Sequence, residues 1–88
     1  MSDEAAAEMP KYRSHKTVHA LKIASIDHVR DDGSARIVPA DQGYAPFDVE
    51  AAYMHNHSPK VGGYYVVYDD GYKSWSPAAA FESGYTRI

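Results

Sequence analysis

The chain has 88 residues, of which 44% are hydrophobic and 24% are charged, and its net charge is −3. These values are typical of one small globular domain. It has no cysteine, which excludes disulfides, cysteine-ligated metals and thiol catalysis and fits a reducing compartment. No apolar run approaches the roughly 20 residues of a membrane-spanning helix, so we expect a cytoplasmic protein that contacts no membrane.

The apolar residues include eight tyrosines, whereas Leu, Ile, Val and Phe are scarce. Because the phenol hydroxyl needs a hydrogen-bond partner or water, tyrosine favours a thin core whose ring edges reach the surface. A deep cofactor pocket is not expected in such a core, and the sequence predicts no cofactor.

Residues 1–16 contain three acidic and three basic side chains and almost nothing apolar, which predicts a disordered N-terminal arm. Residues 17–88 are expected to form a single domain, with six Lys or Arg against nine Asp or Glu. This acidic balance disfavours a general affinity for nucleic acid.

A first hairpin is predicted from Thr17 to Val38. The run Thr17–Ile26 is rich in β-branched residues and places Leu21 and Ile23 on one face, which favours a strand over a helix. The turn signal Asp31-Asp32-Gly33 follows, and the second strand is expected to end at Pro39 because proline cannot donate to a central ladder.

Asp48 stands where an N-cap would, which predicts a helix through about His57 with Tyr53 on its buried side. The same stretch also alternates in the manner of a strand, with Phe47, Val49, Ala51 and Tyr53 on one side, and the pattern leaves both possibilities open.

The segment from Gly62 to Pro77 predicts an aromatic hairpin, but two turns fit it. A two-residue Asp70-Gly71 turn would place Trp75 on the face of Tyr64, Val66 and Tyr68. A three-residue Asp69-Asp70-Gly71 turn with a glycine bulge would place Trp75 with Tyr65 and Val67, because side chains alternate along a strand.

A second short helix is predicted at the end of the chain. Ser76 fits an N-cap, Pro77 the first helical position, and Gly84 a left-handed residue that ends the helix, while Phe81 anchors it to the sheet. The predicted fold class is therefore α+β: a small antiparallel β-sheet built from two hairpins with one or two short helices packed on it.

The two Asp-Asp-Gly turns are 38 residues apart, and each is followed at the same distance by Pro-Ala. This could mark two equivalent hairpins. Since Asp-Gly is a common short turn signal, coincidence is the stronger explanation.

The stretch from Phe47 to Thr86, with Pro59-Lys60-Val61-Gly62-Gly63-Tyr64-Tyr65-Val66 and Ser74-Trp75-Ser76-Pro77, resembles small uncharacterised proteins of tailed bacteriophages and prophages. The upstream Lys11–Lys16 and Val18–Ile23 segments share the resemblance. It implies a phage gene expressed in the host bacterial cytoplasm. The family has no assigned activity, so the resemblance implies no site residues.

Few features of the sequence support a catalytic site or a metal site. His55 and His57 are two residues apart, so on a helix they point away from each other and make a poor metal site. Lys60-Val61-Gly62-Gly63 lacks the strand–loop–helix order that aims amides at phosphate. The serines, histidines and carboxylates form no recognised catalytic motif, and we predict that the protein is not an enzyme and binds no metal.

Protein recognition is the remaining function, because tyrosine and tryptophan offer large contact areas with few rotatable bonds. We expect one face of the second hairpin to pack and the other to bind an unidentified host or phage protein. The candidate partner-binding residues are Tyr65, Tyr68, Tyr72, Lys73 and Trp75.

Two alternatives stay open. The protein could bind an oligonucleotide or nucleotide, with bases stacked on the tyrosine-rich sheet face and phosphates on the basic N-terminal arm. It could also be a virion component. The sequence does not indicate an oligomeric state.

Overall fold

The structure is a computed structural model that describes residues 9–13 and 17–88. Within these residues the chain forms strands and helices in the following order: β1 (Lys11–Arg13), β2 (Thr17–Asp27), β3 (Ala35–Pro39), β4 (Phe47–Val49), α1 (Ala51–His57), β5 (Tyr64–Val67), β6 (Lys73–Ser76), α2 (Ala78–Gly84) and β7 (Thr86–Arg87). All strand pairs are antiparallel, so the predicted α+β class is confirmed.

The long strand β2 is the centre of the sheet. One of its edges is shared by β1 and β3: the Ala20 N–H donates to the Pro10 carbonyl at 2.9 Å, and the Lys22 carbonyl accepts from the Ala40 N–H at 2.8 Å. The other edge pairs with β5, where the Ile23 N–H donates to the Gly63 carbonyl at 2.9 Å. Because β2 has 11 residues, it is long enough to hold three neighbouring strands in place.

The remaining strands extend the sheet outward, with β4 on β3, β6 on β5 and β7 on β1. Strands β2 to β6, with α1 inserted between β4 and β5, have the connectivity of the OB-fold, a five-stranded partly open barrel. Among the described residues β4 and β6 do not pair with each other, so the barrel is open between them. This fold hosts many functions and assigns none by itself.

Two hydrophobic cores lie on the two faces of the β2–β5 sheet. We call the first the α2 core, since Phe81 of α2 is buried in it with Tyr12, Val18, Ala20, Tyr64 and Val66. The second, the α1 core, buries Tyr53 of α1 with Ile23, Ile37, Val49, Tyr65 and Val67. Adjacent residues of β5 thus enter opposite cores, and all four residues of that strand are buried.

The second hairpin is confirmed, with the three-residue turn. The Tyr68 N–H donates to the Tyr72 carbonyl at 2.9 Å, the Gly71 N–H donates to the Tyr68 carbonyl at 2.8 Å, and Gly71 has a φ of +88°. Trp75 therefore lies directly opposite Tyr65.

The first hairpin is also confirmed, and its turn repeats the geometry of the second. The Gly33 N–H donates to the Arg30 carbonyl at 2.9 Å, the Arg30 N–H to the Ser34 carbonyl at 2.8 Å, and Gly33 has a φ of +92°. The repeated Asp-Asp-Gly sequence therefore corresponds to a repeated turn. Its strands differ, since β2 carries a bulge between Ile23 and Ser25.

Part of the predicted disordered arm is a strand. β1 pairs with β2 and β7, and Tyr12 is buried in the α2 core. This short strand forms because β2 and β7 pair with it. A local sequence pattern does not contain those partners. Residues 1–8 and 14–16 of the predicted arm lie outside the described residues, and the assignment of residues 17–88 to one domain stays a prediction.

Both helices begin later than predicted. Asp48 belongs to β4, paired with Arg36 of β3, so α1 begins at Ala51 after an extended Glu50. The strand interpretation of this stretch is correct for Phe47–Val49, and the helix interpretation is correct for Ala51–His57. Ser76 pairs with Tyr64 in the sheet, which leaves Pro77 as the N-cap of α2.

The predicted left-handed ending of the last helix is also wrong. Gly84 lies within α2 and is not among the glycines with positive φ, and the extended Tyr85 ends the helix. The reason is that the chain must run straight into β7, which an extended residue allows.

Candidate protein-binding surface

The five residues predicted to bind a partner do not form one surface. Tyr65 is 6% exposed, whereas Tyr72 is 56% exposed. Tyr68 and Trp75 are half-buried, and Lys73 is exposed. The expected division into one packed face and one free face of the hairpin is not observed, since Tyr64 and Tyr65 are both buried.

Tyr65 and Trp75 belong to the α1 core. The Tyr65 ring lies 4.8 Å from Phe47 and 5.4 Å from Tyr53, measured between ring centroids. Burial raises the pKa of Tyr65 to about 12. The Trp75 Nε1 is buried and has no hydrogen-bond partner among the described residues, so the polar group of this side chain does not reach a surface.

An aromatic surface is present at the tip of the second hairpin. The rings of Tyr68 and Tyr72 stack with their centroids 6.0 Å apart and an interplanar angle of 27°. Tyr68 and Tyr85 both pack against the α2 core. We call Tyr68, Tyr72, Tyr85 and the adjacent Lys73 the tyrosine end.

The tyrosine end is held by local structure on both sides. The Asp70 carboxylate accepts a hydrogen bond from the Tyr72 N–H at 2.9 Å, which fixes the strand as it leaves the turn. Tyr85 stacks on Phe81 at 4.7 Å with an interplanar angle of 14°. These contacts orient Tyr72 and Tyr85 before any partner arrives.

Tyr85 was not predicted as a site residue. Its sequence neighbours indicate only the end of a helix, and its position beside Tyr68 depends on how α2 packs on the sheet. Burial raises the pKa of Tyr68, and the nearby phenols of Tyr85 and Tyr72 raise it further.

Helix α1 joins the tyrosine end to the α1 core. The His57 ring lies 6.0 Å from Tyr72 in an edge-on arrangement and 4.9 Å from Tyr53. The Tyr53 hydroxyl in turn donates to the Ser74 carbonyl at 2.7 Å, which fastens α1 to β6. Helix α1 therefore packs against the second hairpin, which carries the predicted site.

The sheet offers no open platform for stacked bases in its described part. Helix α2 covers one face of β5 and helix α1 lies on the other, and the tyrosines of that strand are buried. Of the arm proposed to contact phosphates, Lys11 and Arg13 are in β1, and Lys16 lies outside the described residues.

The arginines of the first hairpin are engaged in ion pairs. Asp48 accepts from Arg36 Nε at 3.1 Å and from Arg30 Nη2 at 3.4 Å. These arginines, first of all the hydrogen bond from Arg36, hold the pKa of the Asp48 carboxyl below its usual value. The β3–β4 surface thus combines cations with an anion that neutralises part of their charge.

Within residues 9–13 and 17–88, no three or more His, Asp or Glu side chains lie close enough together to hold a metal ion. Helices in the same part of the chain are too short to cross a membrane.

The molecule described so far is a small antiparallel α+β protein with an exposed aromatic end. No family model matches its sequence, and no curated protein is significantly similar to it. Among solved structures, it is similar to the monomeric form of the phage L decoration protein, determined by NMR in solution. The TM-score is 0.68 and the sequence identity 32%, over 89% of this chain and 58% of that protein.

This similarity supports a phage-related protein, as the resemblance in the sequence implied. The chain spans 58% of the length of the decoration protein. Membership of an uncharacterised phage family stays a prediction.

Proposed function

We propose that this protein is a phage decoration-type protein, which binds the assembled coat-protein shell of a phage particle and catalyses no reaction. The observation that carries the proposal is the 32% identity to the phage L decoration protein across 89% of the chain. The partner is then a phage protein, and the protein would be made in the bacterial cytoplasm before it joins the particle.

Two features of the molecule are consistent with such a role. A pair of hairpins with aromatic cores on both faces of the sheet can carry a surface that binds another protein. The exposed tyrosine end supplies the residue type that is enriched at protein interfaces. The net charge of −3 does not favour binding to the packaged nucleic acid.

The test is a binding experiment with empty shells of the phage or prophage that encodes the chain, assembled without it. The protein is mixed with the shells and sedimented through a sucrose gradient, with and without nuclease. We expect saturable co-sedimentation that nuclease does not change. A protein that remains at the top of the gradient at every concentration would contradict the proposal.

A second arm of the experiment addresses the oligonucleotide alternative. A fluorescently labelled single-stranded oligonucleotide is titrated with the protein at low and physiological salt. We expect no binding that survives physiological salt, because an acidic protein gains little from counterion release. Tight, salt-dependent binding together with no shell binding would favour the alternative.

A further inference from the structure

We infer that the tyrosine end is the surface by which this protein docks onto the coat-protein shell, through an acceptor-rich patch of that shell. This inference rests on the proposed function and adds which residues make the contact. It replaces the buried Tyr65 and the half-buried Trp75 of the sequence prediction, both of which belong to the α1 core, with Tyr85.

The exposed apolar side chains point to the tyrosine end. Four large hydrophobic side chains in the described residues are mostly exposed: Val29 at 67%, Val61 at 60%, Tyr72 at 56% and Ile88 at 54%. Of these, Tyr72 stacks on the half-buried Tyr68, which packs beside Tyr85 against the α2 core. Val29 and Val61 lie by separate turns and Ile88 follows β7, whereas the exposed Tyr72 adjoins two further rings, those of Tyr68 and His57.

The tyrosine end is also pre-organised for binding. A side chain that is already ordered loses less conformational entropy on binding, and tyrosine has only two rotatable side-chain bonds. The backbone of Tyr72 is held by Tyr68 and Asp70 through hydrogen bonds of 2.9 Å each. Tyr85 is held by its stack on Phe81. The surface therefore needs little rearrangement to bind.

The chemistry of the tyrosine end fits a protein partner. The hydroxyl of the exposed Tyr72 and the ammonium of the exposed Lys73 are hydrogen-bond donors. Such a set fits uncharged acceptors such as backbone carbonyls next to apolar side chains. The exposed Asp69 and Asp70 at the tip repel phosphate, which favours a protein partner over a nucleic acid.

The experiment measures the dissociation constant for empty shells with single variants. Tyr72→Ala removes the most exposed ring, and Lys73→Glu reverses the charge beside it; neither residue is buried, so both variants should fold. Val61→Ala and Val29→Ala are matched controls, since each removes an equally exposed apolar side chain elsewhere. We expect Tyr72→Ala and Lys73→Glu to weaken binding at least tenfold, the loss typical of interface hot spots, and both controls to stay within about twofold.

Two variants separate ring from hydroxyl and folding from binding. Tyr72→Phe should lose less affinity than Tyr72→Ala, because the stack on Tyr68 is kept. The melting temperature of every variant is measured beside its affinity, and Lys73→Glu, which alters no core contact, decides the question if Tyr72→Ala is destabilised.

The outcomes distinguish this inference from the proposed function. If the wild-type protein does not bind shells, the proposed function is wrong and the inference falls with it. If the wild type binds and Tyr72→Ala, Lys73→Glu and both controls bind equally well, the decoration role stands and the tyrosine end is not its surface.

Discussion

The indole ring of Trp75 occupies the space that a side chain at Gly63 would need. A Cβ at position 63 would lie 2.5 Å from both Cε2 and Nε1 of that ring. The backbone at Gly63 cannot easily retreat, because its carbonyl accepts a hydrogen bond from Ile23 at 2.9 Å. This glycine is therefore required by tertiary packing, whereas its neighbour Gly62 is required by a turn with a φ of +92°.

We expect Gly63→Ala to lower the free energy of unfolding by about 1–3 kcal/mol, the usual cost of overpacking a filled site. Urea unfolding followed by tryptophan fluorescence and circular dichroism measures it. Gly84→Ala is the matched control, since a Cβ there meets nothing within 4 Å and alanine is a better helix former. Equal stability of Gly63→Ala and Gly84→Ala would contradict the packing argument.

Two glycines with the same φ of +92° allow backbone strain to be separated from crowding. Gly62→Ala should cost roughly 1–2 kcal/mol, because left-handed φ values are unfavourable for residues with a Cβ and a Cβ there would meet nothing within 4 Å. Gly33→Ala should cost more, since its Cβ would also lie 3.1 Å from the Cβ of Ala51. Thermal or urea unfolding of both variants gives the comparison.

The Gly33 variant has an internal control. Replacing Ala51 by glycine as well should remove the extra cost of Gly33→Ala but not the part due to φ, after correction for the helix propensity of Ala51→Gly alone. If the two glycine variants lose the same stability, the contact between Gly33 and Ala51 has no energetic weight.

Phe81 is expected to hold the C-terminal helix on the sheet. It is 2% exposed, and its ring centroid lies 4.3 Å from that of Tyr64 and 4.8 Å from that of Tyr12. Phe81→Ala should lower the free energy of unfolding by about 3–5 kcal/mol. Ala79→Ser, on the exposed side of α2, is expected to change it by less than about 0.5 kcal/mol.

Hydrogen exchange distinguishes how Phe81→Ala acts. If the helix is held by this ring, amide protection in residues 78–88 and in β1 should fall more than protection in β3 and β4. Uniform loss of protection across the chain would show instead that the two cores unfold as one.

Alkaline titration tests the burial of the tyrosines. The pKa is raised above 10.0 for five of the eight tyrosines, chiefly by burial: Tyr12, Tyr53, Tyr64, Tyr65 and Tyr68. A raised pKa in the folded state means that these phenols stabilise the fold fully below pH 10 and lose that contribution as the pH rises, for Tyr65 up to about 12.

The measurement is the absorbance of phenolate at 295 nm between pH 9 and 13, in buffer and in 8 M urea. The native curve should lag behind the unfolded one and should rise steeply where the protein unfolds. Coincident curves would mean that the five rings are accessible to solvent.

The hairpins could be predicted because their signals are local. Asp-Asp-Gly before a β-branched or aromatic run determines a turn through the φ freedom of glycine and the side-chain bonds of aspartate, and both turns have the predicted residues. The helix starts predicted at Asp48 and Ser76 are wrong, because cap residues are also acceptable in strands. In the structure Asp48 pairs with Arg36 and Ser76 pairs with Tyr64, so both residues lie in strands.

The candidate site, too, could be predicted only where its signals are local. The sequence showed that Tyr65 and Trp75 would share a face if the turn had three residues, and this is the arrangement found. It did not show that the other face, with Tyr64, would also be buried, because covering it depends on α2, which packs there through Phe81.

By itself, then, the sequence determined the fold class, the positions of the two turns and the aromatic character of the second hairpin, because these depend on backbone freedom and residue type over a few positions. Only the tertiary structure decided that Tyr12 lies in a strand, that both faces of β5 are covered, and that Tyr68, Tyr72 and Tyr85 meet at one end. Each of these outcomes depends on segments that are distant in the chain and become neighbours only when burial of apolar surface brings them together.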